Sequence, residues 1–319
     1  MQNPHPNRAV VRRFRAGVAV LALMLAMAAC SDPVSDDAEG RIKVAAAFYP
    51  LQFITERIGG QRVDVTNLTS PGTEPHDLEL TPQQAAELQK AGLVVYLAGF
   101  QPSIDDAIDN DAKDKAFDVA TVEPLSDAPP GAEEEDADGA GEKHANEGKD
   151  PHVWLDPHRL AAIGDKLADR LAAVDTAHAD EFRTRATELR AELVALDKEY
   201  SAGLQNCQRH EIVTSHAAFG YLAARYKLEQ IPITGLSPEA EPTPEHVAQV
   251  AALARQKGVT TIFFETLVSP EIAETVATEI GAKAEVLDPI EGLKPGSADT
   301  YLTVMRGNLT QLRTALGCS

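Results

Sequence analysis

Strand-like apolar runs and helical stretches take turns along this chain. Runs at 42–48, 63–68, 93–97 and, more weakly, 116–120 are separated by helical stretches at 51–58, 82–90 and 104–109. The alternation returns later, with strands at 212–214, 229–233, 260–264 and 284–287 and helices at 218–226, 244–257, 270–280 and 298–316. Strands joined through helices run parallel, because the intervening helix carries the chain back to the same edge. The pattern predicts an α/β fold of two lobes, each with a parallel-stranded sheet. Between the lobes, Leu160, Ile163, Leu167, Leu171, Val174, Leu189, Leu193 and Leu196 recur at helical spacing. They read as one very long helix, or two nearly collinear ones. The expected boundaries are a first lobe over 41–156, a backbone helix over 157–204 and a second lobe over 205–319. No short-period repeat is visible.

The length of 319 residues suits this organisation. A formal charge of −20 repels nucleic acid and anionic membrane surfaces and suits a protein that meets cations. The N-terminus is different in kind. Arg8, Arg12, Arg13 and Arg15 form a basic stretch, and the apolar run at 16–29 that follows is too short for a standard membrane span. It ends in LAMAAC at Cys30 and turns polar at once. This resembles a bacterial lipoprotein signal, in which cleavage precedes a cysteine that then carries lipid; Met27 stands where a leucine-like residue is usual. The resemblance implies that 1–29 is removed, that Cys30 is the lipidation site and that 30–40 is a tether. An ordinary secretory signal is the alternative, and both export the mature chain. In an oxidising compartment the remaining cysteines, Cys207 and Cys318, are expected to pair as a disulfide. Residues 126–149, rich in Asp, Glu, Gly and Ala without a large apolar residue after Leu125, are expected to form a disordered acidic loop of the first lobe.

In open α/β sheets ligands collect beyond the carboxyl ends of the strands. Four metal-capable residues fall at such places: His76 in a Pro/Gly-rich turn, His152 after the acidic loop, His216 directly after a strand, and Asp288 directly after the last strand. Three imidazoles and one carboxylate suit Zn²⁺ in tetrahedral geometry, whereas Mn²⁺ prefers more oxygen. Each residue alone is more often a surface residue than a ligand, and no HExxH or CxxC motif adds weight. Glu265, also at a strand end, reads as a partner that orients a histidine, as an alternative oxygen ligand, or as a structural hydrogen-bonding group. His158 starts the long helix, and His178, His210 and His246 sit in polar contexts. The single tryptophan, Trp154, reads as a packing anchor.

The flanks of these residues carry a resemblance. GTEPHDLELTP, DPHVWLDP, TSHAAFGYLAARY, GLSPEAEPTP and EVLDPIEGL resemble the zinc-binding lipoproteins of high-affinity metal ABC importers, the metal-binding cluster of the solute-binding protein superfamily. The likeness runs from about Arg41 to the C-terminus. It implies two (β/α) lobes joined by a long rigid backbone helix, with the metal between them held by His76, His152, His216 and Asp288. It favours zinc, because manganese-preferring relatives carry glutamate where this chain has His216. Zinc relatives often have a histidine-rich loop before the second ligand, whereas 126–149 holds only His144. The implied protein is not an enzyme. It is a lipid-anchored, extracytoplasmic monomer that captures Zn²⁺ and hands it to the ABC importer permease. Two other readings stay open: a three-histidine zinc hydrolase with Glu265 as base and water in place of Asp288, and an adhesin in which the metal is structural.

Overall fold

The structure is a computed structural model that describes residues 40–128, 146 and 148–319. The first lobe is built on β1 (Ile42–Ala46), β2 (Val63–Asn67), β3 (Leu93–Tyr96) and β4 (Ala116–Asp118), all parallel in the order β2-β1-β3-β4. Its helices are α1 (Tyr49–Gly59), α2 (Pro82–Lys90) and α3 (Pro102–Asp111). The second lobe repeats the plan with β5 (Glu211–Thr214), β6 (Glu229–Pro232), β7 (Thr261–Phe264) and β8 (Lys283–Val286), parallel in the order β6-β5-β7-β8. Helices α6 (Gly220–Tyr226), α7 (Pro244–Lys257), α8 (Glu271–Ile280) and α9 (Tyr301–Leu316) accompany it. In each sheet the first strand is flanked by the second on one side and the third on the other. That reversal opens a crevice at the carboxyl ends of the strands.

Local chemistry sets the helix starts. Thr81 caps α2 through a reciprocal box with Gln84, and Pro82 supplies a pre-set φ where no N–H bond is needed. Asp156 caps α4 (Pro157–Val174) by accepting from the His158 N–H at 2.8 Å, again with a proline at the helix start. Strands β1 and β3 are short runs of Ile, Val, Leu and Ala with nearly every residue buried, the pattern of a strand covered on both faces.

The segment expected as one helix, or two in line, is neither. After α4 the chain turns through a 3₁₀ turn at Thr176–His178 and returns as α5 (Ala179–Gly203). Arg190 reaches back to the Ala161 carbonyl and to Asp165, and Arg183 lies 3.6 Å from Asp169, so the two helices pack antiparallel. The break lies at Asp175, whose carboxylate contacts the His178 ring at 2.6 Å and whose carbonyl accepts from the His178 N–H. The backbone of the molecule is therefore α5 alone, 25 residues and roughly 37 Å long. It touches the first lobe through Arg57–Glu192 (2.6 Å) and Arg62–Glu181 (3.1 Å). It touches the second through Tyr200 Oη donating to the Met305 carbonyl (2.6 Å), Arg306–Glu199 (2.9 Å) and Arg225–Asp197 (2.6 Å).

One buried apolar cluster runs from the first sheet through α4, α5, α6 and α9, and a second fills the space between the second sheet and α7 and α8. Both lobes belong to one compact unit, Arg41–Ser319. The Cys207–Cys318 disulfide forms, joining the chain after α5 to the end of α9. The signal, Cys30 and the tether fall outside the described residues, apart from Gly40. So does most of the acidic loop. Its described ends are paired, with Asp127 opposite Lys149 in an antiparallel bridge.

Candidate metal centre

Three histidine side chains converge in the crevice on one carboxylate. Glu291 Oε1 lies 3.1 Å from His152 Nε2, 3.2 Å from His216 Nε2 and 3.5 Å from His76 Nε2. One ligand atom from each of these four residues lies within 4.8 Å of every other. His152, His216 and Glu291 are fully buried, and only the edge of His76 is reached by solvent.

Each side chain is delivered by a loop at a strand end and held by a second carboxylate. His76 sits beyond β2, with its N–H donating to both Glu74 oxygens at 3.0 Å and its ring against Phe100. His152 enters a 3₁₀ turn at Val153–Leu155; its N–H and its Nδ1 both bond Asp150 Oδ1, at 2.9 and 2.8 Å. His216 follows β5, and its Nδ1 lies 2.7 Å from Glu265 Oε1, which projects from the end of β7. With Nδ1–H donating to Asp150 and to Glu265, the Nε2 lone pairs of His152 and His216 face the centre. Both orienting partners, Asp150 and Glu265, are carboxylates, the usual partner behind a metal-ligating histidine.

Asp288 was expected in the fourth position, and the structure corrects this. Its Oδ1 accepts from the Ile290 N–H at 2.7 Å and its Oδ2 from Thr266 Oγ1 at 2.8 Å, while Asn308 brackets its backbone on both sides. The carboxylate is spent on a turn. That turn drives the buried Ile290 to φ +62°, rarely adopted by a β-branched residue, and so throws Glu291 inward. Glu265, left open between three roles by the sequence, contacts His216 and Ser215, and not the central atoms. Glu74, Asp150 and Glu291 were not singled out from the sequence. The signal for the first two is an acid–proline pair directly before each histidine.

Trp154 lies under the site. Its ring packs on Phe48 and Phe100, its centroid is 5.2 Å from that of His152, and its Nε1 donates to the Pro289 carbonyl at 2.7 Å. On the opposite side the His76 loop presses on the Glu291 loop. Gly72 N–H donates to the Leu293 carbonyl at 2.8 Å, and Gly72, at φ +85°, leaves a side-chain carbon no room beside Pro295.

The electrostatics are those of a pocket demanding positive charge. Burial opposes charge on every member, yet Glu265 and Glu291 hold His216 well above the ordinary imidazole range. Asp150 and Glu291 likewise outweigh burial and raise His152. Glu291 is held well below the usual carboxylate range against its own burial, chiefly by His216 and then by His152. His76 has burial as its dominant influence and is lowered. Burial, then Glu291, pushes Glu74 up to about 8. Two buried polar atoms of the cluster, His76 Nε2 and Glu291 Oε2, have no hydrogen-bond partner, which a cation held here would satisfy. A tetrahedral ion with bonds of roughly 2.0–2.1 Å separates its ligands by about 3.3 Å, and the distances to Glu291 Oε1 straddle that value.

Comparison with known proteins points the same way. The family described as zinc-uptake complex component A, periplasmic (ZnuA), matches residues 44–315. The zinc-binding protein AdcA of Streptococcus pyogenes serotype M3 is 36% identical over 289 residues, 86% of this chain, and the chain spans only 56% of that relative's length. The high-affinity zinc uptake system protein ZnuA of Bacillus subtilis (strain 168) is 33% identical over 305 residues, covering 93% of this chain and 96% of that protein. The crystal structure of Zn(II)-bound AdcA from Streptococcus pneumoniae superposes with a TM-score of 0.72 at 30% identity, over 87% of this chain and 58% of that one. A two-lobed parallel α/β fold, a buried three-histidine, one-glutamate cluster at its strand ends and a family match along most of the sequence agree: the chain belongs to the ZnuA family.

Proposed function

We propose that this protein captures Zn²⁺ between its lobes through His76, His152, His216 and Glu291, and delivers it to the membrane permease of an ABC importer. The observation that carries the reading is the closed set of four ligand atoms, one from each residue and all within 4.8 Å of one another, with only the His76 edge open to solvent. Catalytic zinc keeps a position open for water, whereas a complete protein shell favours storage and transfer over hydrolysis. The hydrolase reading also needed Glu265 free to act as a base, and Glu265 is engaged with His216. Export and attachment through lipid on Cys30 would hold the protein beside its permease. A single copy suffices: among the described residues only Val174 and Ile272 are exposed large hydrophobics, too little for an apolar face that a second copy would cover.

The test is a titration of metal-free mature protein with Zn²⁺ beside His216→Ala. One ion per wild-type chain, with affinity weakened at least about tenfold in the variant, is the expected result. Equal stoichiometry and affinity in the two proteins would remove His216 from the site and the reading with it.

A further inference from the structure

The two ends of the acidic loop lie side by side just before His152. Ala128 N–H donates to the Gly148 carbonyl at 3.1 Å and Asp150 N–H to the Ser126 carbonyl at 3.0 Å. In an antiparallel ladder of this register, Ser126 and Asp150 form a hydrogen-bonded pair, and Ser126 N–H would return a bond to the Asp150 carbonyl. It does not. The hydroxyl of Tyr221 is inserted there: it accepts from Ser126 N–H at 2.8 Å and donates to the Asp150 carbonyl at 2.9 Å. The Tyr221 ring is itself held under the Arg159 guanidinium, 4.9 Å from its centroid.

The preceding residue makes a second approach. A β-carbon at Gly220 would lie 2.5 Å from Asp150 Oδ2, so the Asp150 carboxylate occupies space that only glycine leaves free. Asp150 is the residue whose other oxygen holds both the backbone and the Nδ1 of His152. Gly220 and Tyr221 open α6 in the second lobe, while Asp150 and His152 close the first.

We infer that Gly220 and Tyr221 are positioning residues for the metal: through Asp150 they set the orientation of His152, so that the hold on the ion depends on contact between the lobes. The inference rests on the zinc-binding reading above. Tyr221 fixes the Asp150 backbone, Gly220 admits its carboxylate, and Asp150 fixes which His152 nitrogen faces the centre. If α6 draws away from the loop ends, His152 loses its orienting partner without any ligand having been touched directly.

Release of Zn²⁺ to an excess of chelator, followed by stopped flow, tests this in full-length mature protein. Tyr221→Phe and Gly220→Ala are expected to release zinc about tenfold faster than wild type or more, the usual cost of disturbing a partner behind a ligand. Tyr226→Phe is the control, because it removes a phenol hydroxyl from the same helix that bonds Asp197 and not the loop ends. It is expected to release zinc at the wild-type rate. The Co²⁺-loaded Tyr221→Phe protein should also show a shifted visible spectrum, which loosening of the fold remote from the ion would not produce. Release within twofold of wild type in both test variants, or equal acceleration in the control, overturns the inference. Wild-type protein that binds no zinc would instead defeat the functional reading and this inference together. Gly220→Ala alone decides the matter if Tyr221→Phe does not fold.

Discussion

Four acid–proline pairs in this chain build the same turn. Glu74, Asp150, Asp156 and Asp288 each precede a proline, and each carboxylate accepts the N–H of the residue after that proline, at 2.7–3.0 Å. Proline fixes φ and offers no N–H, so the acid closes over it onto the next one. Two of these turns deliver His76 and His152 to the centre, one starts α4 at His158, and the fourth puts Ile290 into a left-handed turn ahead of Glu291. The three histidines of the cluster were thus legible, as imidazoles at strand ends. The carboxylate was not, because Asp288 sits where the strand stops and Glu291 lies three residues further on, and only the turn's geometry tells which one points inward. Glu291→Gln should therefore weaken zinc binding at least about tenfold while leaving thermal unfolding of the metal-free protein nearly unchanged. Asp288→Ala should do the reverse, costing about 1–2 kcal/mol of stability through the uncapped Ile290 N–H and still binding one ion. Paired calorimetric titrations and denaturant melts separate the two. The centre should also exchange protons for metal. Glu265 and Glu291 hold His216 above the ordinary imidazole range against its burial, so protons compete with zinc for its Nε2 at higher pH than they would for a free imidazole. Lowering the pH adds protons that compete and weakens binding; raising the pH through the His216 range strengthens it. Titrations over a range of pH in buffers of different ionisation heat should show net proton release on zinc binding that grows as the pH is lowered, and no release at any pH would contradict the electrostatics described.

Among the elements, the strands and most helices were readable because burial imposes a period on each. The register of α4 and α5 was not. Leu160, Ile163, Leu167 and Leu171 on one and Leu189, Leu193 and Leu196 on the other are all buried. An apolar stripe of that kind is identical whether two helices lie in line or fold back on one another. What decides is the turn at 175–178 and cross-helix pairs such as Arg190 with Asp165, contacts distant in sequence that no single-residue period reveals. The disulfide was readable for a different reason, since export leaves Cys207 and Cys318 only each other. It closes a sequence separation of 111 residues, for which loop entropy allows stabilisation of up to about 4–5 kcal/mol. It lies beside the start of β5, at the opposite edge of the sheet from the carboxyl-end crevice, where Gln208 N–H donates to the Leu316 carbonyl. Reduction should accordingly lower the melting temperature of the metal-free protein and leave its zinc affinity within about twofold, because no residue of the centre touches that edge. A matching loss of affinity on reduction would show that α5 and α9 transmit strain to the site.

At the scale of the molecule, the buried apolar cluster that joins the first sheet to α4, α5, α6 and α9 argues against lobes that swing freely. Rotating one lobe on the other would expose Tyr200, Tyr301, Leu193 and Leu312, all completely buried. At roughly 1.5–3 kcal/mol for each large side chain uncovered, such a motion costs more than a ligand-bearing loop does. The loops are tied more lightly. Across the His76 side, one backbone bond, Gly72 N–H to the Leu293 carbonyl, is accompanied by the fit of Gly72 against Pro295. Residues 68–81 between β2 and α2 contain no helix or strand to stiffen them. His76 is also the one histidine of the cluster that solvent reaches, and it sits on the loop with the fewest ties, so it is the side chain most readily withdrawn. Zinc should therefore slow amide exchange in 68–81 and in 288–295, with β1 and β5 unchanged, because only the loops gain order on binding. Small-angle scattering of the metal-free and zinc-loaded forms should superimpose. A clear contraction on loading, or exchange protection spread evenly through both sheets, would mean that the shared core yields and that the lobes themselves close on the ion.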